Sequence, residues 1–184
     1  NKALQEYLHQ LSQAEEDLER YDREIEMIAG EEKYSEKVGQ LRCLRGIQTA
    51  SALAIIVEIG DFHRFPTAEK YAAFLGLVPG EYSSGGTVNR TSITKQGNTH
   101  LRKIMVESAH SYAKGSLYVK SKAMKAKQRG QSQDIIDYCD KENLFMARKY
   151  QRLCARGKNC NIAKTAVARQ LACSVWAIMT GNIT

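Results

Sequence analysis

The chain has 184 residues, enough for one domain of ordinary size plus an extension. Hydrophobic residues make up 43% and charged residues 26%, which supports a buried core and excludes a disordered polyelectrolyte. The net charge of +7 is unevenly held: residues 1–40 carry 5 Lys/Arg against 11 Asp/Glu and the rest 22 against 9, so a basic body points to a polyanionic partner and an acidic extension to another role.

The apolar stretch from Ala50 to Ile59 falls well short of the ~20 residues that a membrane helix needs, and no secretory signal precedes it. A soluble, cytoplasmic chain with no membrane partner is expected. Its start at Asn1-Lys2-Ala3 fits a piece of something longer. Five cysteines without a C-x-x-C pair suit neither a disulfide framework nor a zinc site, so reduced thiols are expected.

In residues 1–29, free of Gly and Pro, Leu4, Leu11, Leu18 and Ile25 fall seven apart, and Tyr7, Ala14, Tyr21 and Ile28 follow each by three. These are the a and d positions of four heptads. The narrow seam needs either the body or a partner helix, and its period of 3.5 favours a coiled coil between chains. An oligomerisation arm is placed at 1–33 and a helical domain at 34–184.

Tyr34, Val38, Leu41 and Leu44 continue a helical rhythm, Gly46-Ile47 interrupts it, and Thr49 to Ile59 resumes it until Gly60. Leu-Arg-Cys-Leu-Arg-Gly-Ile followed by Thr-Ala resembles the helix-hairpin-helix module, whose Gly turn offers backbone N–H groups to a phosphate. Gln48 replaces the usual second Gly, and an ordinary helical hairpin fits equally well. Thr67 reads as an N-cap for Ala68 to Phe74. From Gly76 to Arg90 the helical rhythm breaks, with Gly76, Pro79, Gly80, Gly85 and Gly86 marking a long loop or β-hairpin. A cap near Asn98-Thr99 starts the next helix, through Leu101, Ile104, Met105, Ser108 and Tyr112. Further helices are predicted over 116–128, 132–154 and 162–179, the last with an apolar stripe of Val167, Leu171, Val175 and Ile178.

Tyr82-Ser83-Ser84-Gly85-Gly86 sets two hydroxyls beside flexible residues, just ahead of a basic run. Between Arg90 and Arg129 lie ten Lys/Arg and one acid, Glu107. A serine can attack a phosphodiester only where its proton is removed and the transition-state charge is neutralised, and nearby cations serve the second need. A solvated turn is the alternative from composition alone. Arg90, Lys95, Asn98, Arg102, Lys103, Lys120, Lys122, Lys125 and Lys127 are the candidate nucleic-acid contacts. No metal site is assigned, because His63, His100 and His110 are too widely spaced.

The ordered string Gly46-Ile47, Ala52, Glu58-Ile59-Gly60-Asp61, Arg64-Phe65, Ala72 to Pro79, Tyr82-Ser83-Ser84-Gly85, Ile93 to Asn98, Leu101-Arg102 and Ala109 resembles the C-terminal transposase domain of the insertion-sequence-one-ten family. Those are DEDD transposases, relatives of the Piv DNA invertase, some of them guided by a bridge RNA. The resemblance implies a mainly α fold: a coiled-coil helix, then a compact helical domain with a helix-hairpin-helix-like element and a Gly-rich catalytic loop or small β-hairpin. It implies that Ser84, in the Tyr-x-Ser-Gly element, is the nucleophile that forms a phosphoserine link to DNA. It further implies a RuvC-like half, lacking here, that carries the acidic Mg²⁺ ligands, with no cofactor in this chain. DNA, a guide RNA and a homo-oligomer, dimer or tetramer, are the implied partners. The alternative is a non-catalytic nucleic-acid-binding and dimerisation module with Ser84 in a structural turn.

Overall fold

The computed structural model describes residues 2–84, 87–114 and 119–183, with the backbone alone described at 81–84 and 87–91. The fold is mainly helical, as the patterns require. Helices α1 (Lys2–Ala29), α2 (Glu32–Arg42), α3 (Thr49–Ile59) and α4 (Ala68–Phe74) precede strands β1 (Pro79–Ser84) and β2 (Thr87–Ile93). Helices α5 (Thr99–Ala109), α6 (Lys122–Gln128), α7 (Gln133–Ala155) and α8 (Cys160–Thr180) follow, with a short 3-10 turn at His110–Ala113.

The heptad segment forms α1, whose last turn alone engages the body: Ala29 is buried and Ile25 partly so. Leu4, Tyr7, Leu11, Leu18 and Tyr21 remain 52–72% exposed. The described residues of the body therefore leave the seam uncovered. Gly30 ends α1 by donating its N–H to the carbonyls of Glu26 and Met27.

The core is built around α8, which packs against α4, α5 and α7 and touches α2. Its predicted stripe is fully in place, with Val167, Leu171, Val175 and Ile178 buried. Ala163, Ala168, Ala172 and Ala177 are buried too, so α8 is apolar on several faces, as a helix enclosed by others must be. Leu41, Leu44, Ile47, Ile55, Leu101, Met105 and Met146 close the core, each worth roughly 1.5–3 kcal/mol of apolar transfer. Phe65 touches the rings of Tyr71 and Phe74 at 5.3 and 5.2 Å and accepts, at its carbonyl, the Trp176 indole N–H at 3.0 Å. That bond ties the α3–α4 loop to α8.

Helices α2 and α3 make the expected hairpin, with Gly46 at φ +90. A Cβ there would come within 2.2 Å of the Ser108 carbonyl, so only glycine allows the turn to seat on α5. The turn's polar groups are committed inward. Arg45 donates its N–H to Asn143 Oδ1 at 2.8 Å, Asn143 Nδ2 donates to the Cys43 carbonyl at 3.0 Å, and the Tyr112 hydroxyl donates to the same Oδ1 at 2.8 Å. Ile47 donates its N–H to Leu44, so the amides of Arg45 and Ile47 are engaged within the fold. Burial holds the Tyr112 phenol far above its ordinary pKa, keeping it a neutral donor.

The helix expected over 116–128 starts only at Lys122, where Ser121 caps it by accepting from the Met124 N–H at 3.1 Å. The cap chemistry of Ser121 outweighs the helical periodicity read upstream of it; residues 115–118 lie outside the described part. All five cysteines are free thiols, with Cys43 and Cys139 buried.

Asn143→Ala removes three hydrogen bonds at once and strands the Arg45 N–H and the Tyr112 hydroxyl in the core. A loss of about 3 kcal/mol is expected. Urea unfolding measures it, and a loss below about 1 kcal/mol would show that the turn does not depend on Asn143.

Candidate functional site

The break in helical rhythm is an antiparallel hairpin. Tyr82 pairs with Asn89, Ser83 with Val88 and Ser84 with Thr87, while an irregularity between Pro79 and Glu81 shifts the register. Pro79 starts the strand, where its missing N–H is tolerated. Ser84 is the last residue of β1, and Gly85-Gly86 beyond it fall outside the described residues. Arg90 stands opposite Glu81 in the register. The side chains of Ser84 and Arg90 are also outside the description.

At its base the hairpin continues into a backbone clasp between segments 74–78 and 94–98. Thr94 donates its N–H to Val78 at 2.9 Å, Lys95 to Gly76 at 3.2 Å and Asn98 to Phe74 at 3.0 Å. Two glycines permit the approach. Gly76 has φ +68, and a Cβ there would lie 2.2 Å from the Gln96 carbonyl; Gly97 has φ +100, and its Cβ would lie 2.1 Å from the Phe74 carbonyl. Lys95 itself sits in the left-handed region at φ 55.

Side chains of α3 and α5 fasten the clasp. Arg102 donates through Nη1 to the Leu75 carbonyl at 3.0 Å and through Nη2 to Thr99 Oγ1 at 3.1 Å. Asn98 caps α5 by accepting from the Leu101 N–H at 2.9 Å, and its Nδ2 donates to Glu58 Oε1 at 2.5 Å. The other Glu58 oxygen meets His100 Nδ1 at 2.6 Å. The Asn98 amide, then His100, hold the Glu58 carboxyl below its ordinary pKa despite some desolvation. Glu58 thus stays an acceptor near neutral pH and ties the end of α3 to the start of α5.

The candidate nucleic-acid residues divide by environment. Lys95, Lys103, Lys122 and Lys125 are exposed. Arg102 and Asn98 occupy the clasp with the bonds just described. Lys120 pairs with Asp140 and donates to Gln128 Oε1 at 3.0 Å, which fastens the segment before α6 to α7. Lys127 donates to the Ile47 carbonyl at 2.9 Å, and burial, then the Arg42 charge, lower its pKa. Lys127 therefore serves the α2–α3 turn. Sequence reasoning treated Glu58 as part of a motif and missed its contact with Asn98 and His100, forty residues on, because no local period reports such a pairing.

Among the described residues, no three His, Cys, Asp or Glu side chains are grouped to hold a metal ion. No helix among them is long and apolar enough to cross a membrane.

Gly97→Ala forces a Cβ against the Phe74 carbonyl in a conformation that L residues rarely adopt, and is expected to weaken the clasp by about 2 kcal/mol. Amide exchange across 79–93 should then accelerate roughly thirtyfold while α7 and α8 keep their protection. Unchanged exchange in the hairpin would show that the clasp does not hold it.

Residues 39–123, which contain the hairpin, the clasp and the α2–α3 turn, match the family described as Transposase IS116/IS110/IS902. The chain is 38% identical over 138 residues to the transposase y4qE of Sinorhizobium fredii, covering 75% of this chain and 35% of that protein. It is 27% identical over 160 residues to the transposase for insertion sequence element IS1111A of Coxiella burnetii, covering 87% of this chain and 36% of that protein. The chain thus spans about a third of the length of these relatives.

Proposed function

We propose that this chain is the C-terminal part of a transposase of the IS116/IS110/IS902 type and that Ser84 supplies the nucleophile for DNA strand cleavage and rejoining. The observation that carries the reading is the family match over 39–123, which runs through the segment bearing Tyr82-Ser83-Ser84-Gly85. A hairpin clasped at its base is the kind of rigid support that a nucleophile needs, since catalytic groups must be held close to their productive geometry.

In the proposed step Ser84 Oγ loses its proton to a base and attacks phosphorus, forming a phosphoserine ester. The deoxyribose oxygen leaves and takes up a proton as a free hydroxyl. The hydroxyl of another strand reverses the step, so the bond energy is conserved. Arg90, Lys95 and Lys103 follow Ser84 in sequence as the candidate cations for the developing charge, whereas Arg102 already spends its guanidinium on the clasp. The acidic metal ligands are assigned to a RuvC-like half outside this chain, and no step is derived through them. The proposed partners are DNA and a guide RNA, the latter resting on the family resemblance alone.

Ser84→Ala in the full-length protein should abolish covalent protein–DNA adducts on a nicked suicide substrate while leaving DNA affinity within about twofold. Undiminished recombination would instead favour a non-catalytic binding module with Ser84 in a structural turn.

The exposed seam of α1 is assigned to a second copy of the chain. Leu11 and Leu18 are 56% and 63% exposed at a positions, a cost that a partner helix removes. Leu11→Lys combined with Leu18→Lys should shift the full-length protein to monomer in sedimentation equilibrium, and an unchanged mass would place the oligomer contact elsewhere.

A further inference from the structure

The longest basic stretch free of acids lies outside the region from Arg90 to Arg129. Between Arg148 and Arg169 the chain carries seven Lys/Arg and no Asp or Glu. This stretch is the C-terminal half of α7, the turn at Gly157 and the first half of α8. Arg152, Arg156 and Lys158 are exposed, and Lys149, Lys164 and Arg169 are half-buried.

On α1 the chain sets cations among acids: Arg20 pairs with Asp17 at 2.8 Å and Arg23 with Glu19 at 4.0 Å. Among the described residues, Lys149, Arg152, Arg156, Lys158, Lys164 and Arg169 form no ion pair. Lys149, Arg152 and Arg156 fall at i, i+3 and i+7, which makes a stripe about 10 Å long on α7. Burial, then the charges of Arg169 and Arg152, lower the Lys149 pKa, with Glu142 opposing. Glu142 and Glu69 stand near the inner cations Lys149 and Arg169, whereas Arg152, Arg156 and Lys158 are exposed and, among the described residues, unpaired. Such an excess of cations costs stability, and an external polyanion reverses the sign of that cost.

We infer that the α7–α8 end holds the phosphate backbone of duplex DNA, in addition to any contact made by the hairpin. The inference rests on the transposase reading for the identity of the polyanion. The arginines favour phosphate, whose oxygens match the guanidinium fork, and a duplex presents one charge per ~1.7 Å of axis along which a linear stripe can lie. The N-terminus of α8 opens on the same turn and adds its dipole.

The test is a salt series of fluorescence-anisotropy titrations with the full-length protein, using a duplex that spans the element's end and, separately, an RNA hairpin. Arg152→Glu/Arg156→Glu/Lys158→Glu should raise the duplex Kd at least about tenfold near physiological salt and flatten the log K against log salt slope by roughly 2–3. Lys2→Glu/Lys33→Glu/Lys37→Glu makes the same change in net charge and should leave both near wild type. If the charge reversal disturbs folding by circular dichroism, the triple alanine variant replaces it, with a smaller loss in the same direction. Duplex binding unchanged, reduced equally by the control, or reduced for RNA alone overturns the inference. Failure of the wild type to bind duplex overturns both it and the transposase reading. An adduct that persists in Ser84→Ala, with duplex binding still lost in the α7–α8 variant, overturns only the assignment of Ser84.

Discussion

The near contact of two backbone segments, 74–78 and 94–98, is the constraint on which the hairpin depends. A two-stranded ribbon is at best marginal by itself in water. Here it is anchored because Phe74 and Gly76 accept amides from Asn98 and Lys95, and because Leu75 and Leu77 are buried in the core. The approach is so close that neither Gly76 nor Gly97 has room for a Cβ. Arg102 and the Glu58–Asn98–His100 contact then join the clasp to α3 and α5, so the stiffness of the helical core extends to the base of β1 and β2.

A second tight approach supports the first. Gly46 seats the α2–α3 turn on the end of α5, and Asn143 on α7 satisfies that turn from behind while also holding Tyr112. Helix α5 thus meets the clasp at its start and the α2–α3 turn at its end, and packs along its length on α8. A buried polar network of this kind specifies one arrangement only when all its members are satisfied. That is how the Asn143 amide is placed, with its oxygen accepting twice and its nitrogen donating once.

Much of the helical framework was legible in the sequence because it follows from period and cap. The α8 stripe, the Thr67 and Asn98 caps and the stop at Gly30 all read locally. The hairpin was legible as an interruption, since Gly and Pro mark where helix cannot continue, and its strand register came only from the fold. The division of the cations was not legible. Lys103 and Lys127 are the same residue type in the same basic run, yet one is exposed and the other donates into the α2–α3 turn, eighty residues away. Composition reports the number of charges, whereas tertiary contacts decide which ones face solvent. In the stretch from Arg148 to Arg169 the cations are diluted in sequence by the apolar faces of two long helices.

The segregation of charge acquires a physical sense once α1 is seen to leave the body. Its acids lie on an exposed helix that touches the rest of the chain only through its last turn, so they do not compensate the basic body. For a protein acting on DNA, as proposed, phosphates repel such an arm over about a Debye length, roughly 8 Å at physiological salt, while they attract the body. The heptad seam is thereby kept clear of nucleic acid and free for a helix. Like-charged arms also repel one another, so their pairing must draw on the buried apolar seam, where each a and d residue gains roughly 1.5–3 kcal/mol when fully covered. On the proposed reading, oligomer contact and DNA contact are separated along the chain by the sign of its charge.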